Sequence, residues 1–271
     1  WVRRNIKMLK NPEKGKRLWP TRNLYPACFR SKQPRRRRGK LLEKANEFLN
    51  KFLWINIFPG ERKNSHKLVT LAGVILNQPL MYLFFDTETT GLPKNWKAPV
   101  TDLDNWPRMV QIAWILSDEN GRRIESEEYI IRPENFKIPP QASKVHGITT
   151  EKAMEAGNEL KEVLQQFSEL VNEADYLVAH NISFDEKIAG AELLRKGIES
   201  DFFRKKRFCT MHASTNYCGL PGPYGYKWPK LSELHITLFG EEFDEAHDAA
   251  ADINATEKCF WELRRMGLTG I

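Results

Sequence analysis

Phe85-Asp86-Thr87-Glu88-Thr89-Thr90-Gly91, directly after the apolar residues 82–84, is the stretch of sequence that decides the fold. A short continuous apolar run that ends in polar residues is typical of a central strand buried on both faces. Asp86 and Glu88 lie two residues apart, so both side chains leave the same face of that strand. Because two neighbouring carboxylates repel each other unless a cation neutralises them, the stretch predicts a buried strand with a cation-binding end.

Apolar patterns after this strand predict alternating strands and helices. The predicted strands are residues 109–116, 128–131 and 176–179, and the predicted helices are residues 157–171, 184–196, 228–239 and 249–265. Three consecutive strands with short connections, one of them through the turn at residues 118–121, indicate an antiparallel meander. The pattern therefore predicts an α/β domain over residues 81–271, with a mixed central sheet flanked by helices.

Two more polar clusters follow the predicted sheet. His180 to Asp185 come directly after the strand 176–179, at the kind of strand end where α/β folds bind ligands. Asp185 taken alone is also typical of a helix N-terminus. His247 and Asp252 are five residues apart at the start of the last helix, about 140° around its axis. His247 can share a site with Asp252 only from the loop before the helix, whereas Asp248 and Asp252 share a face, and spacing does not distinguish them.

The residue types in these clusters point to a metal-dependent reaction. Carboxylates without Cys or His ligands favour Mg²⁺ or Mn²⁺. Two such ions about 3.5–4 Å apart can activate a water and stabilise the leaving oxygen in phosphodiester cleavage. A histidine with a pKa near neutrality is the natural base to deprotonate that water.

The three clusters resemble the three exonuclease motifs of the DEDDh (DnaQ-like) family, which includes the proofreading epsilon subunit of bacterial DNA polymerase III. Residues 145–149, Val-His-Gly-Ile-Thr, also match a segment common in epsilon-like members. The resemblance covers roughly residues 81–268. It implies a ribonuclease H-like fold and two-metal removal of 5′-mononucleotides from a 3′ end.

The resemblance also assigns roles to individual residues. It implies that His247 is the general base and that four carboxylates hold two Mg²⁺ or Mn²⁺ ions: Asp86, Glu88, Asp185 and Asp252. It selects Asp252 over Asp248. It further implies that five residues lie where the family touches the terminal nucleotide: Thr89, Leu92, His146, His180 and Phe184. Packing or strand-end capping would account for these five equally well.

Two segments depart from the minimal family pattern. Residues 93–107 form a long insertion between the first two strands, and residues 217–230 are rich in Gly, Pro and aromatic residues. Aromatic side chains flanked by Lys227 and Lys230 could stack on single-stranded bases, or the segment could be a packed loop. The chain ends at Ile271, soon after the last predicted helix, so association with a polymerase is possible but is not indicated by the C-terminus.

The four cysteines predict neither a disulfide framework nor a zinc site. No two of them form a C-x-x-C pair, which favours a reduced, cytoplasmic protein. Cys209, His212 and Cys218 have a spacing that fits no standard zinc site.

Charge divides the chain into two unequal parts. The whole chain of 271 residues has a formal charge of +7, but residues 1–80 hold 20 Lys and Arg against four acids, a net of +16. Residues 81–271 hold 22 Lys and Arg against 31 acids, a net of −9. The pattern predicts a basic N-terminal extension, flexible or not native to the protein, with Met81 as the natural start. Substrate attraction would then come from bound cations and from basic runs such as residues 204–207.

These observations favour a metal-dependent 3′–5′ exonuclease acting on single-stranded or frayed DNA ends, in proofreading or repair. An RNA 3′-end trimming enzyme of the same family is an alternative, because sugar choice depends on pocket shape around the 2′ position. A non-catalytic nucleic-acid-binding module is less favoured, because all five motif residues are present. A membrane role is not indicated, since the apolar run at residues 68–85 is interrupted at residues 77–79.

Overall fold

A computed structural model describes residues 79–243 and 249–271 of the chain. Residues 1–78, nearly all of the predicted basic extension, therefore lie outside the described residues. The main sheet has five strands, named in chain order: β1 (Met81–Thr89), β2 (Met109–Asp118), β3 (Arg123–Ile130), β4 (Tyr176–Ala179) and β5 (Lys206–Cys209). A small hairpin is formed by β6 (Pro221–Gly222) and β7 (Gly225–Tyr226).

Helices lie on both faces of the sheet. They are α1 (Pro140–His146), α2 (Thr150–Ala156), α3 (Leu160–Glu173), α4 (Ile182–Arg195), α5 (Thr210–Cys218), α6 (Leu231–Phe239) and α7 (Ala249–Arg265), with a 3-10 helix at Asp201–Arg204. The strand order is β3-β2-β1-β4-β5. β1, β2 and β3 are antiparallel to one another, and β4 and β5 run parallel to β1. The predicted α/β architecture with a mixed central sheet of the ribonuclease H-like type is confirmed.

β1 is central because its residues are apolar on both faces. Tyr82 and Phe84 face α7 and contact the ring of Phe260 with centroids 5.2 Å away in each case. Phe85 faces the other way and contacts Phe167 of α3 at 5.5 Å. All of these rings are at most 1% exposed, so apolar burial on two sides holds β1 in the middle of the sheet.

The end of β1 departs from regular pairing where its acidic residues lie. The register with β2 shifts between Glu88 and Thr89, an irregularity that is common beside active sites. Gly91 follows with φ of 144°, a conformation that side-chain-bearing residues rarely adopt. The chain therefore turns sharply away just after the predicted acidic cluster.

Glu192 on α4 connects this region to the insertion at residues 93–107. It is fully buried, and its Oε1 accepts hydrogen bonds from Arg108 Nε at 2.8 Å and from the Met109 backbone N–H at 3.0 Å. Arg195 Nη1 lies 3.0 Å from the same oxygen, and Arg195 also donates to the Trp106 carbonyl at 2.8 Å. One carboxylate thus fixes the start of β2 and, through Arg195, the insertion.

We expect Glu192→Ala to lower the free energy of unfolding by about 3–5 kcal/mol, because it leaves two largely buried guanidinium groups without their carboxylate. Chemical denaturation measures this change. Glu241→Ala, which removes an exposed ion pair with Lys258, is the control and should have no measurable effect. Equal effects of the two substitutions would contradict the role given to Glu192.

Candidate active site

Three carboxylates meet at the end of β1. Asp86 and Glu88 leave β1 on the face covered by α7, and Asp252 lies in the first turn of α7. One oxygen from each of the three lies within 4.8 Å of the other two, and all three residues are half-buried. The structure thus brings together three of the four predicted metal ligands, Asp252 among them.

Asp185, the fourth predicted ligand, approaches β1 from the opposite face. It lies in the first turn of α4 and is 4% exposed. Its Oδ1 accepts hydrogen bonds from the Thr87 hydroxyl at 2.7 Å and from the Thr87 backbone N–H at 3.1 Å. The side chain of Thr87, between Asp86 and Glu88, therefore holds Asp185 beside the acidic strand end.

The surroundings of the Asp185 carboxyl group disfavour its charged form. Burial raises its pKa well above the ordinary value, and the negative charge of Asp252 raises it further, while the hydrogen bonds from Thr87 lower it. A group of acidic oxygens without Cys or His fits Mg²⁺ or Mn²⁺.

The early end of β4 gives Asp185 access to this edge of the sheet. β4 pairs with β1 from Tyr82 to Phe84 and ends at Ala179. Asn181 then adopts the left-handed conformation, with φ of 62°, which Asn tolerates better than most residues. The chain reverses there into α4, which places Asp185 next to β1 beyond the last residue of β4.

His180, which follows β4, forms hydrogen bonds with residues that are distant in the chain. Its Nε2 lies 3.0 Å from the Pro229 carbonyl, and its Nδ1 lies 2.9 Å from the Thr210 hydroxyl. Because a carbonyl only accepts, Nε2 carries the proton. Burial lowers the pKa of His180 to about 4, with a further lowering from His212, so the ring is neutral near pH 7 and Nδ1 accepts from Thr210. Both ring nitrogens are occupied within the chain.

The other predicted nucleotide contacts surround the same strand end. The Thr89 hydroxyl donates to the Gly91 carbonyl at 2.7 Å, and Leu92 is exposed. His146 is buried, which lowers its pKa, and the backbone of Thr89 acts in the opposite direction. Phe184, one residue before Asp185, has its ring 5.8 Å from that of Trp96 in the first insertion. Contact of these residues with a nucleotide stays a prediction.

His247, predicted as the base, lies outside the described residues, as does Asp248. The only group of three or more potential metal-binding side chains in residues 79–243 and 249–271 is Asp86, Glu88 and Asp252. Cys209, His212 and Cys218 are described and do not form such a group.

The basic run at residues 204–207 lies at the wrong end of the sheet to attract substrate to this site. Lys206 pairs across the sheet with Tyr176, which pairs with Tyr82, whereas the carboxylates lie at the opposite end of β1. Lys206 Nζ lies 5.1 Å from the centre of the Tyr176 ring, and Arg207 forms an ion pair with Glu186. The expectation that this run draws substrate to the carboxylates is therefore not supported.

The fold and these side chains match a known family of nucleases. Residues 83–260 match the RNase_T family, described as exonuclease. Since this match covers well over half of the chain, the chain belongs to the RNase_T exonuclease family. The predicted membership of the DEDDh-type (DnaQ-like) 3′–5′ exonucleases is thereby confirmed.

Individual relatives agree with this family. An uncharacterised exonuclease, CP81, of Escherichia phage 186 is 28% identical over 179 residues, 64% of this chain and 83% of the phage protein. The fold is similar to that of E. coli exonuclease I in complex with a dA16 oligonucleotide, with a TM-score of 0.56 and 22% identity. It is also similar to exonuclease I from Methylocaldum szegediense, with a TM-score of 0.54 and 23% identity.

The likeness covers less than half of each exonuclease I chain. It spans 70% of this chain and 42% of the E. coli chain, and 69% of this chain and 40% of the Methylocaldum chain. Across the described part of this chain, none of the helices is both long enough and apolar enough to cross a lipid bilayer.

We expect Thr87→Val to reduce metal-dependent hydrolysis of an oligonucleotide by about tenfold or more, because the hydroxyl that orients Asp185 is lost at nearly constant volume. Initial rates as a function of Mg²⁺ concentration measure this effect. Thr87→Ser keeps the hydroxyl and should retain most of the rate. A Thr87→Val protein with wild-type rate and Mg²⁺ dependence would contradict this role.

The lowered pKa of His180 predicts a loss of stability at acidic pH. Between about pH 6.5 and pH 4 the unfolded chain binds a proton on this histidine and the folded chain does not, so the free energy of unfolding falls as pH falls. The contribution reaches about 3 kcal/mol. Denaturation of wild type and His180→Gln from pH 4 to pH 8 isolates it. Parallel pH profiles of the two proteins would contradict the prediction.

Proposed function

We propose that this chain removes 5′-mononucleotides from the 3′ ends of single-stranded DNA with the help of two Mg²⁺ or Mn²⁺ ions. The observation that carries the proposal is the meeting of Asp86, Glu88 and Asp252 at one strand end, with Asp185 held there by Thr87, in a chain of the exonuclease family. Like charges placed so close together are costly without a cation, so their clustering indicates a site built for metal ions.

Each residue has a defined part in this proposal. Asp86, Glu88, Asp185 and Asp252 would hold the ions, and Thr87 would orient Asp185. Bound ions would activate a water and stabilise charge on the leaving oxygen. His247 would take the proton of the attacking water, a role implied by the family motif. His180 is not a candidate for that role, because its Nε2 carries a proton that is donated to the Pro229 carbonyl and its Nδ1 accepts from the Thr210 hydroxyl.

Single-stranded DNA is the favoured substrate because the exonuclease I structures with this fold include complexes with dA16 and dT13 oligonucleotides. RNA trimming is the second candidate, and the RNase_T name of the family is the observation that favours it. Proofreading or repair, association with a polymerase, and a cytoplasmic location remain predictions. Parallel assays of single-stranded DNA and RNA separate these two substrates.

We expect the purified chain to shorten a 5′-labelled single-stranded DNA stepwise from its 3′ end in Mg²⁺ or Mn²⁺, with release of 5′-mononucleotides. EDTA should stop the reaction, and a blocked 3′ end should slow it. An RNA of the same sequence, assayed in parallel, should be cut more slowly. Faster cleavage of RNA would favour the second candidate, and cleavage of neither strand would refute the proposal.

Variants assayed in the same way assign the roles. Asp86→Asn and Asp252→Asn should abolish turnover and weaken Mg²⁺ binding, whereas Glu127→Gln, on an exposed carboxylate of β3, should do neither. His247→Ala should lower kcat by about 10²–10⁴-fold while Mg²⁺ binding, measured by calorimetry, is kept. Unchanged turnover in Asp252→Asn would refute the metal assignment, and unchanged turnover in His247→Ala would remove it as the base.

A further inference from the structure

We propose that residues 217–230, named here the aromatic hairpin, form a surface on which bases of single-stranded nucleic acid stack on their way to the acidic strand end. The aromatic hairpin comprises the end of α5, β6, β7 and the segment before α6. This inference rests on the proposed function, because it concerns the substrate of the same site.

Four large aromatic side chains of the aromatic hairpin face solvent. Their exposed fractions are 40% for Tyr217, 103% for Tyr224, 60% for Tyr226 and 64% for Trp228. Aromatic rings in the core of this domain are at most 8% exposed, so these four do not belong to the core. A group of exposed rings within one short segment indicates a binding surface rather than a packed loop.

A hydrogen bond joins the aromatic hairpin to the end of the sheet at which the carboxylates lie. Pro229, next to Trp228, accepts the hydrogen bond from His180 through its carbonyl at 3.0 Å. The pairing of β4 with β1 ends at Val178 and Phe84, and His180 and Asp86 each follow two residues later. Because β4 and β1 are parallel neighbours, His180 and Asp86 lie at the same end of the sheet, and the Pro229 carbonyl joins the hairpin to that end.

The backbone of the aromatic hairpin is ordered by its own hydrogen bonds. Pro221 pairs with Tyr226, and Gly222 pairs with Gly225. The Lys227 backbone N–H donates to the Leu220 carbonyl at 2.9 Å. The Trp228 ring rests against His212 of α5, with ring centroids 5.2 Å apart. Rings held on a preorganised hairpin lose little entropy when a base stacks on them.

Charge favours a polyanionic strand as the occupant of this surface. Residues 217–230 contain two lysines and no acid, and of these lysines Lys227 forms an ion pair with Glu233 of α6; residues 81–271 as a whole have a net charge of −9. Stacking on aromatic rings tolerates any base sequence, and it needs base faces that a duplex hides. We therefore infer that the ligand is single-stranded nucleic acid, rather than a duplex or a protein.

Binding without catalysis tests the inference directly. Fluorescence anisotropy in EDTA compares 5′-labelled oligothymidylates of about 4 and about 12 nucleotides, because only the longer one is expected to reach beyond the 3′-terminal site. We expect wild type to bind the longer strand more tightly, and Tyr224→Ala and Trp228→Ala each to reduce that advantage by about tenfold. Tyr224 is the primary site, because its fully exposed side chain cannot be needed for folding.

Two control variants accompany these substitutions. Tyr224→Phe keeps the ring and should keep the advantage of the longer strand. Ile124→Ala removes a side chain of β3 that is 51% exposed, similar to Trp228, and should not change binding. Ultraviolet cross-linking of a 5-iodouracil-substituted strand, followed by mass spectrometry, should find adducts on Tyr224 or Trp228.

The outcomes separate this inference from the proposed function. If wild type digests single-stranded DNA in Mg²⁺ but Tyr224→Ala and Trp228→Ala bind both strands as wild type does, the aromatic hairpin is not a stacking surface. A change of oligomeric state in these variants, with unchanged strand binding, would instead identify a protein contact and also overturn the inference. If wild type digests no strand, the proposed function itself fails.

Discussion

Mutual repulsion among the carboxylates at the end of β1 is the constraint on which the rest of the structure depends. One oxygen from each of Asp86, Glu88 and Asp252 lies within 4.8 Å of the other two. Repulsion among these like charges lowers the stability of the folded state. Apolar packing offsets this repulsion, because β1 is buried on both faces and Phe260 of α7 packs against it. Thr87 then fixes the fourth carboxylate, Asp185, from the other face. The domain therefore maintains, through its core, a charge arrangement that metal ions would relieve.

Sequence reasoning predicted those elements of the fold that are determined by residues close to each other in the chain. β4 and α7 have the predicted bounds, since one is a short apolar run and the other a long amphipathic helix. The acidic cluster was predicted because Asp86 and Glu88 share a face of one strand. Selection of Asp252 over Asp248 needed the family motif, because both residues share one helical face and spacing alone leaves them equivalent.

The missed features depend on contacts between distant residues. β3 begins at Arg123, earlier than predicted, because its first half is charged and exposed and carries no apolar alternation. β5 is only four residues long and begins with Lys and Arg, so it has no strand signature. Thr87 is hidden between two acids, and only the structure shows its bond to Asp185, 98 positions away. The basic run at residues 204–207 was expected to attract substrate, but the sheet register places it at the end of the strands away from the carboxylates.

The separation of Asp86 and Asp252 along the chain has a consequence for the synthesis of the protein. The first lies on β1, near the beginning of the described residues, and the second lies on α7, the last described helix. A growing chain can pair β1 with β2 soon after both leave the ribosome, but the carboxylate cluster is incomplete until α7 has emerged and packed. The candidate metal site is therefore completed only when nearly all of the described domain has been synthesised.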